Sequence, residues 1–65
     1  MNSLENDLKI DIINQRQGEN LADINFIQGQ IETTNEQELI DEYNNNINDL
    51  MAKNLALESL KQTLL

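Results

Sequence analysis

Ile40-Asp41-Glu42-Tyr43-Asn44-Asn45-Asn46-Ile47-Asn48-Asp49-Leu50-Met51-Ala52-Lys53-Asn54-Leu55-Ala56-Leu57-Glu58-Ser59-Leu60-Lys61-Gln62-Thr63-Leu64 is the stretch that decides the fold of this chain. Its apolar residues recur at alternating steps of three and four, which puts them on one side of a helix that packs on another helix. In heptad terms the a positions are Ile40, Ile47, Asn54 and Lys61, and the d positions are Tyr43, Leu50, Leu57 and Leu64. Every d position is apolar or aromatic. Both polar residues fall at a, where coiled coils accept Asn or Lys as a device that sets register and partner number at some cost in stability. Past Asn54 the apolar stripe broadens to include Leu55, Leu60 and Leu65, so these turns are expected to meet more than one neighbour.

The residues before this stretch carry a second stripe. Ile10, Gln17, Ile24 and Ile31 occupy a, and Ile13, Asn20 and Ile27 occupy d, so the two ends are apolar and the middle is polar. Leu4, Leu8 and Ile12 form a separate line four residues apart. The segment Asn14-Gln15-Arg16-Gln17-Gly18-Glu19-Asn20 is the weakest helical part, because Gly costs about 1 kcal/mol relative to Ala inside a helix. The Ile register resumes after it without a change of phase, which predicts an intact helix; a break at Gly18, with Asn20 capping a new helix at Leu21, is the alternative. Gly29, flanked by Ile27 and Ile31, is expected to permit a close helix approach.

The two stripes do not form one seam. Ile31 and Ile40 are nine residues apart, which fits neither a heptad step nor a simple stutter, and running the second register backwards would bring Thr33, Glu36, Gly29, Glu19 and Gln15 into the contact. Between the stripes lies Glu32-Thr33-Thr34-Asn35-Glu36-Gln37-Glu38, where Thr33 with Glu36, Thr34 with Gln37 and Asn35 with Glu38 all have capping-box spacing. The expected fold is therefore all-α and a single domain over residues 1–65. One helix spans about 3–31, a connection about 32–35 and a second helix about 36–64, folded as an antiparallel hairpin, a helical coiled coil. Asn2 or Ser3 is the expected first cap, with Glu5 and Asp7 meeting the positive end of the helix dipole.

Composition limits what such a hairpin does. The 65 residues include 12 acidic and 4 basic ones, for a net charge of −8, and contain no Cys, His or Pro. A chain of this size buries only about 60% of the surface its unfolded form exposes. Without disulfides or thiolate and imidazole metal sites, association with copies of itself is the remaining way to complete a core. Self-association into a bundle of four or more helices is accordingly expected. Net negative charge argues against nucleic acid and anionic membranes as partners, both of which recruit Lys and Arg. No apolar run approaches the length of a membrane span, and Met1-Asn2-Ser3-Leu4-Glu5 lacks the features of a secretory signal, so a cytoplasmic location is expected.

No Gly-rich phosphate loop, nucleophile–base set or metal motif is present, so neither catalysis, a cofactor nor a metal is expected. Glu36, Glu38, Asp41 and Glu42 form the densest acidic cluster, but calcium loops need alternating oxygen ligands around a Gly turn, and these acids read as charge on the first turns of a helix. Lys9 is spaced to pair with Glu5 and Lys61 with Glu58. Phe26 and Tyr43 read as core fillers.

The function that follows is protein–protein association, as an oligomeric assembly factor, adaptor or accessory subunit whose partners are copies of itself and another protein, with a basic surface if charge is involved. The residues expected to carry it are Ile40, Tyr43, Ile47, Leu50, Asn54, Leu57, Leu60 and Leu64, with Ile24, Ile27 and Ile31 from the first helix. Asn54 and Lys61 either specify orientation in the assembly or lie just off the seam, with Leu55 and Leu60 packing in their place. The rival reading is an acidic inhibitor that occupies a basic, nucleic-acid-binding surface on a target protein. A third, a chain that orders only on a partner, draws on the mean hydropathy of −0.58 and the scarcity of aromatics, and is opposed by the periodic Ile and Leu.

Overall fold

A computed structural model describes residues 3–65, which form two helices, α1 (Leu4–Glu32) and α2 (Gln37–Leu64), packed side by side and antiparallel. Nine residues of α-helix make about two and a half turns, so a single continuous helix would point the seams of Ile31 and Ile40 in opposite directions. Breaking the chain between them lets both seams face each other. The result is long and thin, 53 × 15 × 10 Å. Its radius of gyration of 15.3 Å compares with about 10.7 Å for a compact domain of this length.

The connection needs no glycine, and no described residue has a positive φ. α1 ends by tightening: the N–H of Thr33 donates to the carbonyl of Gln30 at 3.2 Å and that of Thr34 to Ile31 at 3.4 Å. The Thr33 hydroxyl also donates to the Gln30 carbonyl, at 3.1 Å. Thr33 therefore serves the end of the first helix and is not the cap of the second. The N-cap of α2 is Glu36, in extended backbone, whose own N–H donates to the Thr34 hydroxyl at 3.4 Å. The expected capping boxes at Thr33, Thr34 and Asn35 are thus replaced by a turn centred on Thr34, because a helix end and a helix start compete here for the same few polar side chains.

α1 runs unbroken through Gly18. A Cβ at Gly18 or at Gly29 would meet nothing within 4 Å. Gly29 consequently faces open space, and the expectation that it admits a close helix approach is wrong: it lies two residues from both Ile27 and Ile31, on the outer side of the turn. Phe26 corrects a second expectation. It is 68% exposed, since Ile24 and Ile27 take the seam positions on either side of it and leave its ring on the flank.

Burial follows the heptads. Only Ile13, Ile24 and Ile47 fall to 9% exposure or less among the described residues. Ile24 and Ile47 belong to the half of the hairpin nearer the connection and Ile13 to the half nearer the chain ends. Between these apolar ends sits the polar middle of α1. A two-helix core this thin derives most of its definition from register, because so few side chains are fully removed from water.

Candidate functional site

The polar middle is matched across the hairpin. Asn20 Nδ2 donates to Asn54 Oδ1 at 2.7 Å, Asn54 Nδ2 donates to the Gln17 carbonyl at 3.3 Å, and Gln17 Nε2 donates both to the Asn54 carbonyl at 3.4 Å and to Glu58 Oε1 at 3.2 Å. Gln17 and Asn20, the two polar seam positions of α1, meet the polar a position of α2. A shift by a heptad in either direction would set Asn54 against Ile residues of α1 and leave half-buried amides without their present partners. Asn54 therefore lies in the seam, and Leu55, 71% exposed, does not replace it. Lys61 bonds Asn14 Oδ1 at 2.8 Å and Glu58 at 3.3 Å. The Asn6 amide reaches the carbonyl of Leu64 at 3.5 Å.

Glu58 is the one carboxylate with a clear shift. The Gln62 amide at 2.8 Å, then the Gln17 amide and the Lys61 ammonium, hold its pKa below the ordinary carboxylate value. The pairs Lys9–Glu5 and Lys61–Glu58 form as their spacing predicts, both at 3.3 Å. Exposed pairs of this kind are screened by water and contribute little to stability.

Of the eleven residues expected at an interface, the seam positions lie between the two helices of one chain. Ile24 and Ile47 are buried; Ile27, Ile31, Ile40, Tyr43, Leu50, Asn54, Leu57 and Leu64 are half-buried. Leu60 is different, 51% exposed on the flank. Ile13, a d position of the first stripe outside that set, is the most buried of the described residues at 5%. The exposed set is larger: Leu4, Leu8, Ile12, Leu21, Phe26, Met51, Leu55, Leu60 and Leu65 are each more than half exposed. The i, i+4, i+8 line of Leu4, Leu8 and Ile12 was the sequence signal for part of it.

These side chains border grooves along both flanks. On one flank Ile12, Ile13, Leu60 and Leu64, with the stem of Lys9, line an almost wholly apolar groove. It shares Leu60 with the next groove, beside Arg16, Ala56 and Leu57, which in turn shares Lys53 with one beside Phe26 and Leu50. On the opposite flank Leu21, Met51 and Leu55 open beside Asn54 and Glu58.

Folding also sorts the charges. Lys9 and Arg16 precede Gly18, and Lys53 and Lys61 follow Met51, so the antiparallel hairpin gathers all four cations into the half that holds the chain ends. That half has four acids, Glu5, Asp7, Asp11 and Glu58, and is neutral overall. Residues 19–50, the half that holds the connection, carry the other eight acids and no cation. Among the described residues, seven of the nine exposed large apolar ones lie in the neutral half.

Among the described residues no group of three or more carboxylates is placed to hold a metal ion, and no helix is long and apolar enough to cross a membrane. Comparison with protein-family models, with curated proteins and with solved structures finds no match for this chain.

Proposed function

We propose that this chain is a self-associating helical hairpin that works in the cytoplasm by holding proteins together, as an assembly factor, adaptor or accessory subunit. One observation carries the reading: among the described residues the hairpin buries three side chains and leaves nine large apolar ones more than half exposed. A compact monomer of 7.5 kDa exposes about 4,250 Å², whereas this chain exposes 4912 Å². The excess is close to the roughly 800 Å² that each partner contributes to a standard protein–protein interface. Helical hairpins with apolar flanks complete their cores by packing into bundles.

Leu50→Asp places a charge in the half-buried seam and is expected to turn the assembly into unfolded or monomeric chain. Sedimentation velocity with far-UV circular dichroism tests it. Unchanged mass and helicity for Leu50→Asp would remove the proposal.

The reading as an acidic inhibitor gains support from the eight carboxylates of residues 19–50, which share no cation. It predicts capture of a basic partner that weakens steeply with salt, since exposed charges are screened beyond about 8–10 Å at physiological ionic strength. Association through apolar flanks persists in salt.

A further inference from the structure

We infer that two copies associate through the neutral halves of the hairpin, overlapping antiparallel so that the two anionic connection ends point away from each other. The inference rests on the self-association proposed above and names the surface and arrangement it uses. Two features of the fold coincide on that surface. The exposed Leu4, Leu8, Ile12 and Leu60 lie in the neutral half, and Ile12 and Leu60 border the apolar groove next to Lys9. The second feature is the charge partition. Packed helices lie about 8–10 Å apart, about one Debye length at physiological salt. Full side-by-side packing in parallel would bring two sets of eight carboxylates to that distance with no cation between them. Full antiparallel packing would lay each set of eight acids against a half whose four cations are already balanced by four acids of its own, and would take charged groups out of water that stay solvated when only the neutral halves overlap. Overlap of the neutral halves alone covers Leu4, Leu8, Ile12 and Leu60 and keeps every acid of residues 19–50 solvated.

The arrangement has a length. Two hairpins of 53 Å that share half their extent span about 80 Å, against about 55 Å for full overlap, at the 1.5 Å rise per residue of a helix.

The test uses the whole chain in three forms: unaltered, Ile12→Gln/Leu60→Gln in the neutral half, and Leu21→Gln/Phe26→Gln in the anionic half. Gln is a good helix former and all four positions are more than half exposed, so helicity at high concentration checks that each variant folds. Sedimentation equilibrium gives the dimer constant, and small-angle scattering gives the maximum dimension. The first variant is expected to weaken the dimer at least about 100-fold, since two apolar side chains lose their burial on each copy. The second is expected to stay within about threefold, and the unaltered dimer to measure about 80 Å. A dimer of about 55 Å, or one weakened equally by both variants or by the second alone, overturns this inference and leaves self-association standing. An unaltered chain that remains monomeric at millimolar concentration overturns both.

Discussion

Removing Asn54 tests the pairing of the two helices at its most specific point. Its side chain accepts from Asn20 at 2.7 Å and donates to the Gln17 carbonyl at 3.3 Å. Each such bond contributes about 1 kcal/mol net, and the half-exposed setting lets water replace part of it. Asn54→Ala is therefore expected to cost about 1–2 kcal/mol and Asn20→Ala about 1 kcal/mol. The Asn20–Asn54 bond is counted in both single changes but lost only once. The double variant should accordingly be less destabilised than the sum, with a coupling of about 1 kcal/mol. Each kcal/mol corresponds to a melting shift of about 4–8 °C for a domain of this size. Urea and thermal unfolding followed by far-UV circular dichroism, at one fixed protein concentration because association adds to stability, measure all four corners of the cycle. Asn20→Leu/Asn54→Leu adds a second prediction. Replacing both partners with apolar groups of similar shape is expected to match or exceed the parent in stability, with some loss of single register. Single changes that add to within about 0.3 kcal/mol of the double would refute the reasoning, because groups that share no bond behave additively.

Other consequences are simpler to measure. Gly18→Ala is expected to stabilise the chain by up to about 1 kcal/mol, since the added Cβ meets nothing within 4 Å; a lower melting temperature would contradict an unbroken α1. Ile47→Ala removes a side chain that is buried along with Ile13 and Ile24 and is expected to cost about 2–3 kcal/mol, the low end for such a truncation because a two-helix core closes over the gap easily. Glu58 has a folded pKa below its ordinary value of 4.5, so the folded chain binds that proton less readily than the unfolded one. Its contribution is complete above about pH 4.5 and is lost as pH falls through the folded pKa. Glu58→Gln should therefore flatten the acid limb of stability against pH, and an acid limb of unchanged slope would show that the Gln62, Gln17 and Lys61 contacts do not act.

The helical hairpin was legible because its signals are local and periodic. The heptads of Ile10 to Ile31 and of Ile40 to Leu64, and the nine-residue step between them, prescribe two helices and a break. The polar residues were also visible, but their meaning was not. Gln17 and Asn20 read as a weakness of α1 until Asn54 is placed opposite them, and that pairing depends on a register that no single helix encodes. The start of α2 is obscured for a related reason, since Thr33 and Thr34 satisfy the spacing of a cap while being used by the end of α1 and by the turn. Phe26 departs from the expected core position because its heptad phase, which points to the flank, outweighs the preference of an aromatic ring for burial. The charge partition is the least legible feature. Along the chain the acids are spread out and the cations come two to each end, and only an antiparallel fold brings all four cations together.

Self-association is tested by the solution mass and far-UV helicity of the unaltered chain over a dilution series. Self-association predicts a mass that is a multiple of 7.5 kDa at high concentration, with mass and helicity falling together on dilution. A mass of one chain with full helicity at every concentration would contradict it.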